Sequence, residues 1–193
     1  MTLVLAEDSR LIVRSLAAER FAATTDVSER FFDENADAIS RACHAMAGQF
    51  QRGGRLFVCG DGAQRSDVAH VVVEFVHPVV VGKRALPAIA LPDLSSGAAR
   101  RMLDVMGRRG DLVMVLTAGA PTSAELALLA SARARGMLAI ALTGPSDAAG
   151  IDADHLFVVP SGDPFIVQET HEMLYHVLWE LVHLFFDHRA AAP

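Results

Sequence analysis

Two polar pairs stand inside apolar stretches of this chain, and their residue types are those that move protons and hold cations. His70 and Glu74 lie among Val71, Val72, Val73 and Phe75; Gln168 and His176 lie in a later apolar run, with His171 between them. Histidine titrates near neutral pH, carboxylates exchange protons with it, and both ligate divalent metals. On a helix, His70 and Glu74 share one face, one turn apart. Gln168 and His176 are eight apart, which at 3.6 residues per turn is about 80° around the axis. They converge only near a flank, and His171 shares the face of Gln168 more closely. A lone His–x3–Glu pair is usually a surface or capping contact. Here its helix is largely apolar, so the pair needs a partner. His155, His183 and His188 have no such context and read as structural or solvent-exposed.

The elements that must position these side chains follow from periodicity. Residues 1–52 read as helical, with apolar positions Leu11, Ile12, Leu16 and then Ile39, Ala42, Met46 and Phe50 at helical spacing. Asp26 and Ser28 are placed to cap a second helix, and Gly53-Gly54 stops it. Over 53–193 the pattern becomes short apolar runs, each followed by a turn and a helical stretch. The expected strands are Arg55–Cys59, Leu86–Leu91, Asp111–Thr117, Met137–Thr143 and His155–Val159, with a last helix over Pro164–His188. Strands alternating with helices mean crossover connections and a parallel sheet covered on both faces. The expected fold is therefore a single three-layer α/β/α domain with about five parallel strands.

In such a fold, function belongs at the carboxyl ends of the strands. Gly60-Asp61-Gly62, Asp93-Leu94-Ser95-Ser96, Thr117-Ala118-Gly119-Ala120-Pro121-Thr122-Ser123 and Gly144-Pro145-Ser146 are the turns there. Free backbone N–H groups and a helix dipole favour an anion at such turns, although small residues also serve short turns for steric reasons alone.

Composition bounds the partners. Of 193 residues, 52% are hydrophobic but only 6% aromatic, an aliphatic content that suits helices packed on a buried parallel sheet. The net charge of −6 argues against a nucleic-acid binder, and Arg100, Arg101, Arg108 and Arg109 read as a solvated helix end. Cys43 and Cys59 are far apart and lack metal-ligand spacing, which favours a reducing, cytoplasmic setting. No run approaches the ~20 apolar residues of a membrane span, and charges at Glu7, Asp8 and Arg10 come too early for a signal peptide. The apolar N-terminal region and a last helix carrying Leu178, Leu181, Val182, Leu184, Phe185 and Phe186 exceed what one domain should cover, which predicts a homo-oligomer.

Four segments together resemble the sugar isomerase (SIS) family, and within it phosphoheptose isomerase and its replication-initiator-binding relatives. Val58-Cys59-Gly60-Asp61-Gly62 followed by Asp67, His70 and Glu74 is similar to that family's first strand, turn and helix. Leu86–Asp93 and Gly136–Gly144 resemble its second and fourth strands, and Gln168-Glu169-Thr170-His171 continuing to His176 resembles the start of its last helix. The resemblance implies metal-assisted aldose–ketose isomerisation of sedoheptulose 7-phosphate by a tetramer. It implies one zinc per chain at His70, Glu74, Gln168 and His176, with Glu74 as the base and His176 as the partner acid. Gly60, Asp61, Gly62, Thr117, Gly119, Thr122, Ser123 and Gln168 would contact the sugar phosphate.

The departures lie at the phosphate end. The family's Asn-Gly-Gly-Ser turn is here Asp61-Gly62-Ala63-Gln64, and Pro121 removes a backbone donor from the third turn. The segment after Asp93 is shorter than in the family, and the family's sugar-contacting arginine falls at Pro78, leaving Arg65 or Arg101 as substitutes. These departures keep open a non-catalytic SIS protein that binds a sugar phosphate or a protein, and an isomerase for a different sugar.

Overall fold

The computed structural model describes residues 7–145 and 150–190, with side chains from 9 to 186 within those ranges. The chain start before Glu7, Ser146 of the fourth turn and the side chain of His188 lie outside the described residues.

The N-terminal region is one helix, α1 (Glu7–Gln51), rather than two. No glycine or proline occurs before Gly48, so nothing interrupts the backbone ladder. The polar residues expected to cap a second helix are satisfied within the first. Asp26 pairs with Arg30 one turn on, and the Ser28 hydroxyl meets that of Thr170 at 3.2 Å. At 1.5 Å per residue α1 is about 68 Å long. Its second half is packed through Phe31, Ile39, Cys43, Met46 and Phe50, whereas Leu11, Ile12, Val13, Leu16 and Phe21 in its first half are exposed. After α1, Gly53 takes a left-handed φ of 85° and Gly54 lies where a Cβ would come within 2.3 Å of the Gly110 carbonyl oxygen.

The remainder alternates as β1 (Leu56–Cys59), α2 (Gln64–Val76), β2 (Ala88–Ala90), α3 (Ala98–Met106), β3 (Leu112–Leu116), α4 (Ser123–Ala134), β4 (Leu138–Thr143), β5 (His155–Val158) and α5 (Pro164–Ala190). The five strands form one parallel sheet in the order β2-β1-β3-β4-β5. The alternation of side chains along the strands divides the core in two. Leu56, Val58, Leu112, Met114, Leu116, Ile140 and Leu142 face α1, α2 and α5; Phe57, Cys59, Val113, Val115, Ala139 and Ala141 face α3 and α4. Both cysteines are free and buried.

The apolar face of α5 is largely covered within the chain. Leu178 and Val182 are buried in the core that α1 shares, and Leu181, Phe185 and Phe186 pack against it, which leaves Leu184 exposed. That helix is apolar because it lies between the sheet and α1; the exposed apolar residues cluster instead in the first half of α1 and in Val73, Val76, Val79, Val80 and Val81 at and after the end of α2. No helix among the described residues is long and apolar enough to cross a membrane.

Strand order reverses between β1 and β3, because the chain steps outward to β2 and then returns to the other side of β1. The crevice at the carboxyl ends of these two strands is where ligands enter this class of sheet. Gly60 closes β1 against β3, and a Cβ on it would lie 2.8 Å from the Leu116 carbonyl oxygen.

Candidate active site

α2 and α5 both leave strand ends and run back beside each other on one face of the sheet, so polar side chains on their facing sides meet in the groove between them. His70 is six residues into α2, about 9 Å along it, and His176 is twelve into α5, about 18 Å along. The chemistry-bearing groups therefore sit down the groove rather than at the strand tips.

His70 is the hub. Its Nε2 lies 3.4 Å from Nε2 of His176 and 3.4 Å from Oε1 of Glu74. Its Nδ1 lies 2.9 Å from the hydroxyl of Tyr175 and 3.6 Å from Oε1 of Glu172. Ligand atoms of His70, Glu172 and His176 all fall within 4.8 Å of one another; Glu74 meets only His70 of these three. Tyr175 is fully buried, and its phenol pKa is pushed well up by burial and then by the carboxylates of Glu172, Asp67 and Glu74. It is a neutral phenol at physiological pH.

Gln168 enters the site differently from the expectation. Its amide nitrogen donates to both carboxylate oxygens of Asp67, at 3.0 and 3.1 Å. Asp67 is buried in the first turn of α2, and that burial is the main cause of its raised pKa. The pair ties the start of α5 to the start of α2 and sets the spacing of the groove. Glu172 was not singled out from sequence, although the signal existed: it stands midway between Gln168 and His176, four residues from each, on the face that joins them.

His171 does not face the groove. It is buried with Nε2 3.3 Å from the Thr143 carbonyl oxygen, and burial lowers its pKa to about 4. His183 is structural: its ring nitrogens meet the carbonyl oxygens of Trp179 (2.8 Å) and Arg84 (2.9 Å). His155 is half-buried, which lowers its pKa.

The turns at the strand ends are partly committed to their own backbone. Asp61 Oδ1 accepts from the Leu94 amide at 3.2 Å, so its carboxylate bridges the first and second turns. Thr122 caps α4: its side chain accepts from the Glu125 amide, and the Glu125 carboxylate returns to the Thr122 amide at 2.6 Å. Gly62, with φ of 59°, is exposed, as is Ser123; Thr117 and Gly119 are half-buried. Arg65 is exposed, and Arg101 donates to the Ser96 carbonyl.

With this geometry in view, the relatives are informative. Residues 20–144 match the SIS domain family. The chain is 31% identical over 173 residues to the phosphoheptose isomerase of Roseiflexus sp., covering 83% of this chain and 88% of that one. It is 34% identical over 172 residues to the phosphoheptose isomerase of Chlorobium limicola, covering 81% and 80%. In fold it is similar to the phosphoheptose isomerase of Neisseria gonorrhoeae, with a TM-score of 0.76 and 22% identity over 88% of this chain and 98% of that one. A histidine and carboxylate groove on a parallel α/β sheet, matched over most of its length by these relatives, shows that the chain belongs to the SIS domain family and, within it, to the phosphoheptose isomerase group of sugar isomerases.

Proposed function

We propose that the protein interconverts the ketose and aldose forms of a phosphorylated sugar in the groove between α2 and α5: a phosphoheptose, as its relatives' names have it, and sedoheptulose 7-phosphate as the sequence resemblance implies. The observation that supports this most is that Glu74 and His176 both come within 3.4 Å of His70 Nε2, which brings a carboxylate and an imidazole to one point of the groove. Aldose–ketose isomerisation moves one proton between adjacent carbons and one between their oxygens, which needs a base and an acid side by side. Glu74 takes the proton from C1 of the ketose and returns it to C2 of the enediol. His176 gives a proton to the carbonyl oxygen at C2 and receives the one leaving the C1 hydroxyl. Glu74 is suited to this by its partial shielding in the groove, with 16% of its side chain exposed.

The donor set fits zinc. His70, Glu172 and His176 offer ligand atoms that all lie within 4.8 Å of one another, and imidazole with carboxylate is a donor set that suits zinc. His70 and His176, with Glu74 and Glu172 as the available carboxylates, would hold the ion. Gln168 contributes through its bond to Asp67 and keeps its side-chain carbonyl available. When bound, zinc supplies electrophilic polarisation of the sugar carbonyl. The exposed apolar residues in the first half of α1 favour a homo-oligomer, a tetramer as expected from the resemblance.

A second reading has its own support. The buried carboxylate of Glu125 sits at the start of α4, and that of Asp61 lies on the first turn, both where a phosphate would approach. This favours an isomerase for a differently substituted sugar, or a binding role. The experiment is an isomerisation assay with sedoheptulose 7-phosphate, with and without added zinc, on wild type and Glu74→Gln. Turnover that falls about 10²–10⁴-fold in the variant supports the first reading. Wild type without turnover but with sugar binding would replace it with the second.

A further inference from the structure

The end of the sheet opposite the active-site turns carries a second concave feature. Where β1, β3 and β4 begin, a cleft of ≈ 550 Å³ opens between the end of α1, the turn before β3 and the turn before β4. Four arginines from two separate turns line it: Arg52 and Arg55 between α1 and β1, and Arg108 and Arg109 before β3. The only acidic residue in the lining is Asp111, and it is consumed. Asp111 is buried and accepts from the Arg55 side chain (2.8 and 3.3 Å) and from the backbone amides of Arg55 and Arg108 (both 2.9 Å).

That leaves Arg52, Arg108 and Arg109 without a carboxylate partner among the described residues. Arg20, Arg30, Arg100, Arg133 and Arg135, by contrast, each meet an aspartate. Arg52 donates to the Gln49 side chain at 2.9 Å, a neutral acceptor. The solvated helix end expected from sequence thus separates: Arg100 is paired, whereas Arg108 and Arg109 turn into the cleft.

The floor is built to let guanidinium groups converge. Gly53, Gly110 and Gly136 all have left-handed φ (85°, 89° and 73°), a conformation that excludes most side chains. At Gly136 a Cβ would lie 3.1 Å from Cζ of Arg109, so the guanidinium rests over that glycine. Three uncompensated positive charges meet here on a chain whose net charge is −6.

We propose that this cleft binds a small anion carrying two or more phosphate groups, at a site separate from the isomerase groove. Guanidinium forks match phosphate oxygens bidentately, and the volume is that of small-molecule sites rather than of an extended polymer track. No aromatic side chain lines the cleft, so the phosphates rather than a stacked base would be recognised.

Inorganic pyrophosphate titrated calorimetrically into the whole protein, without added metal, tests this. One pyrophosphate per chain is expected, with orthophosphate binding about tenfold or more weakly, since each added ionic contact contributes on that scale. Arg108→Gln/Arg109→Gln should weaken pyrophosphate by about tenfold or more, while Glu74→Gln leaves it unchanged. Both arginines are exposed and free of ion pairs, so an unaltered melting temperature is expected; Arg52→Gln, tested alone, should weaken binding in the same direction. Absence of pyrophosphate binding at millimolar concentration would overturn the proposal. So would affinity unchanged in both arginine variants, or a short DNA duplex bound through these arginines as tightly as pyrophosphate.

Discussion

Replacing Tyr175 by phenylalanine removes one hydroxyl and tests how His70 is held. Imidazole can ligate zinc through Nε2 only if its ring proton sits on Nδ1, and that nitrogen is 2.9 Å from the Tyr175 hydroxyl. The phenol stays neutral because burial and three nearby carboxylates raise its pKa, so the variant loses a hydrogen bond and no charge. The edge contact between the two rings, with centroids 5.3 Å apart, survives in phenylalanine. A neutral hydrogen bond contributes roughly 0.5–1.5 kcal/mol, and partners of histidine ligands typically change metal affinity about 10–100-fold. His70 has 36% of its side chain exposed, so water can replace the lost partner and the effect falls at the low end. Zinc affinity should drop about tenfold, or about 1.4 kcal/mol. Competition with a chromophoric chelator at fixed pH measures this. Affinity within about twofold of wild type would show that Tyr175 does not set the imidazole, and the assignment of Nε2 as the ligand atom would lose its basis.

Two further outcomes concern stability. Asp111→Ala leaves the Arg55 guanidinium and two amides without their acceptor, a loss of about 3–5 kcal/mol. At about 2–4 °C per kcal/mol for a chain of this size, calorimetry should show the melting temperature falling by roughly 6–20 °C, and a fall below about 2 °C would contradict the count of donors. His171 has a folded pKa of about 4, lowered by burial, against about 6.5 when unfolded. The unfolded chain binds the extra proton first, so the stability His171 contributes is complete above about pH 6.5 and is lost as pH falls toward 4. At most about 3 kcal/mol is involved. Chelator-treated His171→Gln should therefore show a shallower decline of melting temperature over that window than wild type, and parallel declines would refute the burial argument.

Most of the fold was legible because the sheet is buried on both faces. Strands such as Leu112–Leu116 and Leu138–Thr143 are continuous apolar runs between glycine-bearing turns, and their order dictates crossovers. The continuity of α1 was less legible: Asp26 and Ser28 have cap chemistry, and only the partner Thr170 on α5 shows why a hydroxyl is accommodated within the helix. His70, Glu74 and His176 could be selected because each is polar within an apolar stretch. Glu172 was marked only by its spacing from Gln168 and His176, and the role of Tyr175 depends on how α2 lies against α5. The tie between Asp67 and Gln168, 101 residues apart in the chain, is a tertiary fact of the same kind. The arginine cleft was hidden because Arg52 and Arg109 are brought together by turns whose glycines look like ordinary loop residues in sequence.

The two halves of the candidate substrate site are built by different elements, which bears on where specificity resides. The proposed proton transfer would be carried by side chains of α2 and α5, apart from the turn after β3. The positive end of α4, the usual place for an anion in this fold, is already met by Glu125, which is 2% exposed and bonded to the Thr122 amide. A phosphate arriving there would face a buried carboxylate rather than an open row of amides, and Asp61 adds a second negative charge across the crevice. The hydroxyls of Thr117 and Ser123 remain as neutral donors, with no hydrogen bond of their own among the described residues. Hydrogen bonds from neutral groups are about half as strong as charge-assisted ones, so on the proposed reading the end of the sugar remote from the carbonyl would be held less by charge than by shape. The chemistry at C1 and C2 is therefore separable from recognition of the far substituent. On the proposed reading, it is at the turns after β1 and β3, rather than in the histidine groove, that the choice of sugar would be made.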